Sequence, residues 1–284
     1  MPSKTGLVTL AAVAGAAILC STTSMAANTK IRIGAPVSLG NALVDLVGSF
    51  QAYYYLQGIT YDVSVTIDSN QNLKAAVTGS KGPDPYDLIL TDDSELIHDL
   101  VTHHSSSVQG PPFVFARDQL DLYSISVHVG AYPTGLPADF TGPVLIPDPR
   151  IDAHGRAAAR LLSERPWSIQ HLPDDRVALQ SDVTVVQAAV DLGMYPYGIL
   201  AKSTICRNPY GTETYPEGTY HHEYPTLGGL RYRFIDDTGL ATAQPDRTPA
   251  AEQELAEFSD FLKGVGTTWA TDVLKSYCYT VPTP

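Results

Sequence analysis

An α/β fold in two modest domains is the class that this 284-residue sequence predicts. Three observations point there. Strand-like and helix-like segments alternate along the chain, which favours α/β over all-α or all-β architectures. Four strand ends give way to a turn with Ser, Asn, His or Asp and then to a helix. The length is also enough for two cores at roughly 100–200 residues per domain. With 44% apolar and 17% charged residues, the composition is globular.

The chain opens with a leader. Lys4 supplies a positive start, Leu7–Leu19 is an apolar run, and "TSMA" offers the small residues that a signal peptidase reads. The run is too short for a membrane span, so residues 1–26 read as a signal peptide cleaved after Ala26. Cys20 raises the competing lipoprotein reading, but Leu19 before it suits that poorly. The expectation is a soluble, exported, periplasmic protein.

After the leader, "KIRIGAP" alternates as a strand and "LGNALVDLVGSFQAYYY" has helical spacing. "YDVSVTID" alternates again, "NQNLKAAVTG" is a short helix, "YDLILTD" is a buried strand and "SELIHDLV" is a helix. "QLDLYSISVHV" and "GPVLIPDP" read as strands, "GRAAARLLSE" as a helix, "RVALQ" as a strand and "VTVVQAAVDLG" as a helix. "YPYGILAKS" closes this part as a strand. The Tyr-, Pro- and Gly-rich segment Arg207–Gly229 reads as a long loop, before the amphipathic helices "AAEQELAEFSDFLKG" and "TTWATDVLKSY".

Without the leader, 17 basic residues face 30 acidic ones, a net charge of −13. That balance argues against nucleic acid and anionic membrane surfaces as partners. It leaves room for a small anion, because local backbone N–H groups outvote a distant net charge. Cys206 and Cys278 survive processing, and two readings stay open: one disulfide in an oxidising compartment, or two buried thiols.

The helix starts are Ser38, Ser69–Asn70, His154–Gly155 and Ser181–Asp182. In a parallel α/β sheet such turns gather at the carboxyl ends of the strands, where ligands bind. Each offers unpaired N–H groups and partial positive charge. Each is also an ordinary N-cap, worth on the order of 1 kcal/mol. For Ser38 both roles are expected together.

The order of segments resembles the periplasmic molybdate-binding proteins, the solute-binding components of molybdate ABC importers. "IRIGAPVSLGNALVDLVGSF", "DSNQNLKAAVTGSKGPDPYDLILTDD", "VLIPDPRIDAHGRAAARLL", "SDVTVVQAAVDLGMYPYGIL" and "FSDFLKGVGTTWATDVLKSY" are similar to that family's successive motifs, over most of Lys30–Tyr279. The resemblance implies a type II periplasmic binding protein fold: two α/β lobes with a ligand cleft between them. Lobe 1 would comprise residues 28–115 plus 224–284, and lobe 2 residues 116–223. It also implies a monomer without catalytic residues or cofactor, which hands a small-molecule or oxyanion ligand to an inner-membrane ABC permease.

Carried over by position, Ser38 and Asn70, with Ser69 beside it, would donate to an oxyanion; His154, Gly155 and Val183 would give backbone N–H groups, with Asp182 preceding the last. Three departures stand out. Asn70 replaces a serine, Ala201 stands where a ligand tyrosine is expected, and Asp68 and Asp92 stand where the family has small neutral residues. A carboxylate roughly 4 Å from an anionic charge costs about 4 kcal/mol at an effective dielectric near 20. The alternative is therefore the same scaffold with specificity for a metal ion or small organic solute, or a metal-dependent enzyme, through Asp68, Asp92 and His154.

Other constellations are weaker. "GAPVSLG" lacks the G-x-S-x-G elbow of a serine hydrolase. His103–His104 and His221–His222 are adjacent rather than three or four residues apart, and read as solvated loop histidines. "FIDDTG" falls short of a calcium loop. The tyrosines of the 207–229 segment suit either a lid over an organic ligand or a surface anchor.

Overall fold

The computed structural model describes residues 30–79, 85–130, 135–136, 141–164, 167–172, 174–224 and 235–282. The leader expected over 1–26 lies outside them, as does the end of the Tyr-rich segment from residue 225.

The first half runs β1 (Lys30–Ala35), α1 (Gly40–Tyr55), β2 (Asp62–Ile67), α2 (Asn70–Gly79), β3 (Leu88–Thr91), α3 (Ser94–His103) and β4 (Val108–Asp118). The second comprises β5 (Leu120–Ser124), β6 (Val144–Pro147), α4 (Ala153–Ser163), β7 (Val177–Gln180), α5 (Val183–Asp191), β8 (Gly198–Ala201), α6 (Lys202–Ile205) and β9 (Tyr220–Glu223). The chain then returns through β10 (Ile235–Thr242), α7 (Pro249–Leu262) and α8 (Trp269–Ser276).

Two five-stranded sheets result, in the orders β2-β1-β3-β10-β4 and β7-β6-β8-β5-β9. β1, β2 and β3 are parallel, as are β6, β7 and β8, so their carboxyl ends and the following helix starts lie on one side of each sheet. β10 is antiparallel to both β3 and β4. The chain passes between sheets twice, through Gln119 between β4 and β5 and again between β9 and β10.

Strand alternation splits the burial. Leu88 and Leu90 pack with Phe50, Phe258 and Leu274 from α1, α7 and α8, while Ile89 packs with Leu73 and Leu100 from α2 and α3. In the second sheet, Val144 and Ile146 meet Ala158 and Leu161 of α4, and Leu145 meets Val186 and Val190 of α5. Both sheets are thus covered on both faces, as parallel strands require.

Several sequence expectations need correction. β4 and β10 were not anticipated: Pro111 and Pro112 interrupt one pattern, and Asp236 and Asp237 interrupt the other. Arg117 donates to Asp236 at 2.8 Å, whereas Asp237 is buried with its Oδ2 unpaired. β9 is a strand inside the segment expected to be a loop. The strand expected over 119–129 ends at Ser124, whose hydroxyl accepts from the N–H groups of Ser126 and Val127 and turns the chain. Cys206 and Cys278 are disulfide-bonded, with Cα atoms 5.9 Å apart, tying the end of α6 to the tail beyond α8.

Candidate functional site

A cavity of about 330 Å³ opens where the parallel strands of both sheets end. From the first sheet come Val37, Ser38, Asp68, Ser69, Asn70 and Asp92; from the second come Ile151, Asp152, Ser181 and Asp182. Three of the four helix starts singled out in the sequence therefore line one cleft directly. The fourth contributes Ile151 and Asp152, whereas His154, Gly155 and Val183 do not line the cavity and are buried.

The lining is acidic. Among the described residues it includes Asp68, Asp92, Asp152 and Asp182, but no Lys, Arg or His. These carboxylates also hold donors that an anion would need. Asp68 accepts from the Ser69 N–H and the Asn72 amide, both at 2.7 Å. Asp152 accepts from the Gly155 N–H at 2.9 Å, and Asp182 from those of Thr184 and Val185 at 3.0 and 3.1 Å. Ser69 caps α2 through the Asn72 N–H at 3.2 Å. Ser38 caps nothing: no side chain caps α1 or the single turn before it. Its hydroxyl instead donates to Asp92 Oδ2 at 2.6 Å, so the cap expected from the sequence is replaced by a tertiary bond.

Asp92 is the centre of the arrangement. Asn70 Nδ2 donates to its Oδ1 at 2.6 Å, and Asn70 is oriented by Thr91, whose hydroxyl donates to Asn70 Oδ1 at 2.6 Å. His154 Nδ1 lies 3.3 Å from Asp92 Oδ2, across the junction of the halves, and 3.9 Å from Asp152 Oδ1. His154 Nε2 lies 3.7 Å from Asp118 Oδ2. Asp118 in turn accepts from the Ser203 hydroxyl and from the Ser203 N–H. A second junction contact joins Arg156 to Asp93 at 2.5 Å and to Glu95 at 3.7 Å.

Burial alone would push His154 down, but Asp118 and Asp92 hold it well above the usual imidazole range. The ring is 1% exposed, and the acids around it favour its protonated form. Burial works against ionisation of Asp92 as well, yet His154, Ser38 and Asn70 together keep its carboxyl below the usual range. Asp152 shows the opposite balance: burial, offset in part by His154, pushes it up to about 6. Asp237 lies deeper, and burial with repulsion from Asp118 and Asp92 raises it well above the carboxylate range, which favours its neutral form.

Asp118 and Asp237 escaped sequence reasoning because they sit in the two unanticipated strands. The available signal was an acid in each apolar stretch flanking the passages between sheets, in "VFARDQL" and "FIDDTGL". The alternative set Asp68, Asp92 and His154 does not form a metal-sized cluster. Among the described residues, the one group of three such ligand atoms within 4.8 Å of one another is Cys206, Glu213 and Cys278, and its cysteines are spent in the disulfide. Ala201 is fully buried at the end of β8.

The Tyr-rich segment folds onto the β5–β9 edge. Tyr215 stacks on His221 at 3.4 Å between centroids and donates to Glu223 at 3.0 Å, and Tyr220 packs on His128. None of these rings lines the cleft. His221 and His222 are half-buried strand residues rather than solvated loop histidines, and His103 and His104 both face Asp99, at 3.2 and 3.6 Å.

Two covered α/β sheets, two passages between them and a cleft at their facing strand ends define the type II periplasmic binding protein fold. The sequence matches no protein-family profile and no curated protein. Solved structures share the fold. The periplasmic molybdate-binding protein of Azotobacter vinelandii superposes with a TM-score of 0.71 at 17% identity, covering 89% of this chain and 100% of that one. A substrate-binding domain assigned to a molybdenum ABC transporter of Clostridium difficile gives 0.62 at 14%, covering 89% and 99%. Iron-bound HitA of Pseudomonas aeruginosa gives 0.57 at 11%, covering 89% and 86%.

Proposed function

We propose that this protein is an exported, non-catalytic solute-binding protein of an ABC importer, which captures a small solute in its cleft and delivers it to an inner-membrane permease from the periplasm. The fold and its likeness to solute-binding proteins support the role. On the same scaffold, those relatives are named for molybdate, molybdenum and iron, so the ligand has to be argued from this chain's own cleft.

Among the described residues, the cleft presents four carboxylates and no cationic side chain, while the helix-start donors that would receive an oxyanion are held by the chain's own acids. A bare dianion there meets repulsion of about 4 kcal/mol per unit-charge pair at roughly 4 Å and an effective dielectric near 20. The chemistry favours a small cation or amine-bearing solute over molybdate.

A thermal-shift series on the processed protein tests this, with molybdate, tungstate, sulfate and phosphate in one arm and divalent metals and small amines in the other. Ligand at 100 times its dissociation constant adds about 2.7 kcal/mol. Stabilisation in the second arm alone is the expected result. Stabilisation by molybdate or tungstate alone would overturn the cationic assignment and restore the oxyanion one.

A further inference from the structure

The donors that converge on Asp92 make an anion site whose occupant is part of the chain. Two hydrogen-bond donors and one ring come from three separate elements: the Ser38 hydroxyl after β1, the Asn70 amide at the start of α2, and the His154 imidazole on α4 of the other half, whose Nδ1 lies 3.3 Å away as an ion-pair neighbour and makes no hydrogen bond. The Asp92 carboxylate uses both its oxygens on them and is 4% exposed. Two uncharged donors and one positive ring around a buried pocket form a receptor for a small negative group. The residue borders open space on two sides, the 330 Å³ cleft and a second cavity of about 210 Å³ beside Arg156.

We propose that Asp92 determines specificity by acting as a tethered anion, holding the position and donors that a free oxyanion would need and so excluding oxyanions from the cleft. The inference rests on the reading of the cleft as a solute site. While the carboxylate is present, Ser38 and Asn70 direct their protons to it, and the positive charge of His154 is already compensated. Truncation of the side chain frees the Ser38 and Asn70 donors and removes one of the three acids around His154, leaving Asp118 and Asp152 beside the ring. The hydroxyl, the amide and the imidazolium are then turned toward a gap continuous with the cleft, with one fewer negative charge.

The test compares wild type, Asp92→Ala, Asp92→Ser and the double variant Asp92→Ala/Ser38→Ala, each titrated with sulfate and molybdate and, in parallel, with divalent metals and small amines. Wild type should be unmoved by either anion. Asp92→Ala should gain about 3–6 °C in Tm at an anion concentration tenfold above its dissociation constant. Ser38→Ala in the same background should weaken that anion binding at least about tenfold, the scale of one lost charge-assisted hydrogen bond. The Ser variant keeps one oxygen for Asn70 and should show a smaller gain.

A folded Asp92→Ala protein indifferent to both anions would overturn the proposal, as would wild type binding them equally well. If the truncated proteins recover poorly, refolding with and without sulfate separates the same alternatives: anion-dependent recovery supports the tethered-anion role, and equal recovery overturns it. Wild type silent toward every cation and amine, beside an anion-responsive Asp92→Ala, would sink the cationic reading of the cleft but uphold the role of Asp92.

Discussion

His154 Nδ1 stands 3.3 Å from Asp92 Oδ2, and the two residues belong to opposite halves of the molecule. The contact is buried on both sides, with 1% and 2% of the side chains exposed. The His154 ring, with Asp92 on one face and Asp118 on the other, therefore lies at the junction of the two halves.

Breaking that arrangement from one side should be costly. His154→Gln leaves Asp92 and Asp118 as uncompensated buried carboxylates, and a loss of about 3–5 kcal/mol is expected in urea denaturation. Combining it with Asp92→Asn should cost less than the sum of the single changes, because the uncompensated charge is gone, although the amide keeps an oxygen for only one of the Asn70 and Ser38 donors. The pH dependence has a definite sign. His154 is raised in the folded state, so its stabilisation is complete below the unfolded value of about 6.5 and fades as pH rises through the folded value. Wild type should lose stability on the alkaline side in a way that His154→Gln does not.

Asp152 should contribute its own pH dependence, at lower pH. Its folded value of about 6 lies above an unfolded value of about 3.9, so the native state binds more protons between about pH 4 and 6 and stability falls as pH rises through that window. Asp152→Asn retains an N-cap acceptor for Gly155 and removes the titration. Denaturation midpoints across the window should flatten, with a gain on the order of 2 kcal/mol at pH 7. An unchanged slope would mean that Asp152 is ionised throughout.

Gly155 is fixed by contact between backbones. A Cβ placed there would lie 2.4 Å from the carbonyl oxygen of Pro147 and 2.8 Å from its carbon. Neither can yield as a flexible side chain would, so Gly155→Ala should push α4 away from the end of β6. A loss of about 1–3 kcal/mol or more is expected from overpacking. The same shift would move His154 from Asp92, so the alkaline loss of stability seen in wild type should weaken with it.

The disulfide joins residues 72 positions apart, from the end of α6 to the tail beyond α8. Replacing Cys278 by Ser, or reducing the bridge, should cost about 2–5 kcal/mol. Comparing denaturation with and without dithiothreitol measures this directly. A Cys206→Ser/Cys278→Ser protein insensitive to reductant is the control.

Much of the architecture was legible because it is local. Alternation in "KIRIGA" and "YDLILTD", and helical spacing in "NALVDLVGSF", are set by short-range burial patterns. The caps at Ser69 and Asp182 join residues two or three positions apart, which a reader of sequence can pair. β4 and β10 were not legible. Their prolines and acids depart from a strand pattern, and only their pairing across more than a hundred residues makes them strands.

The α/β class, the order of most elements and the positions of Ser38, Asn70 and Asp182 at strand ends all follow from near neighbours along the chain. What those residues do there depends on long-range packing. Ser38 meets an acid 54 positions away instead of capping its own helix, His154 turns inward between Asp92 and Asp118, and burial favours the neutral form of Asp237 in the interior. Charge states and donor availability depend on which groups are brought within a few ångströms and how far water is excluded, and both are properties of the packed molecule.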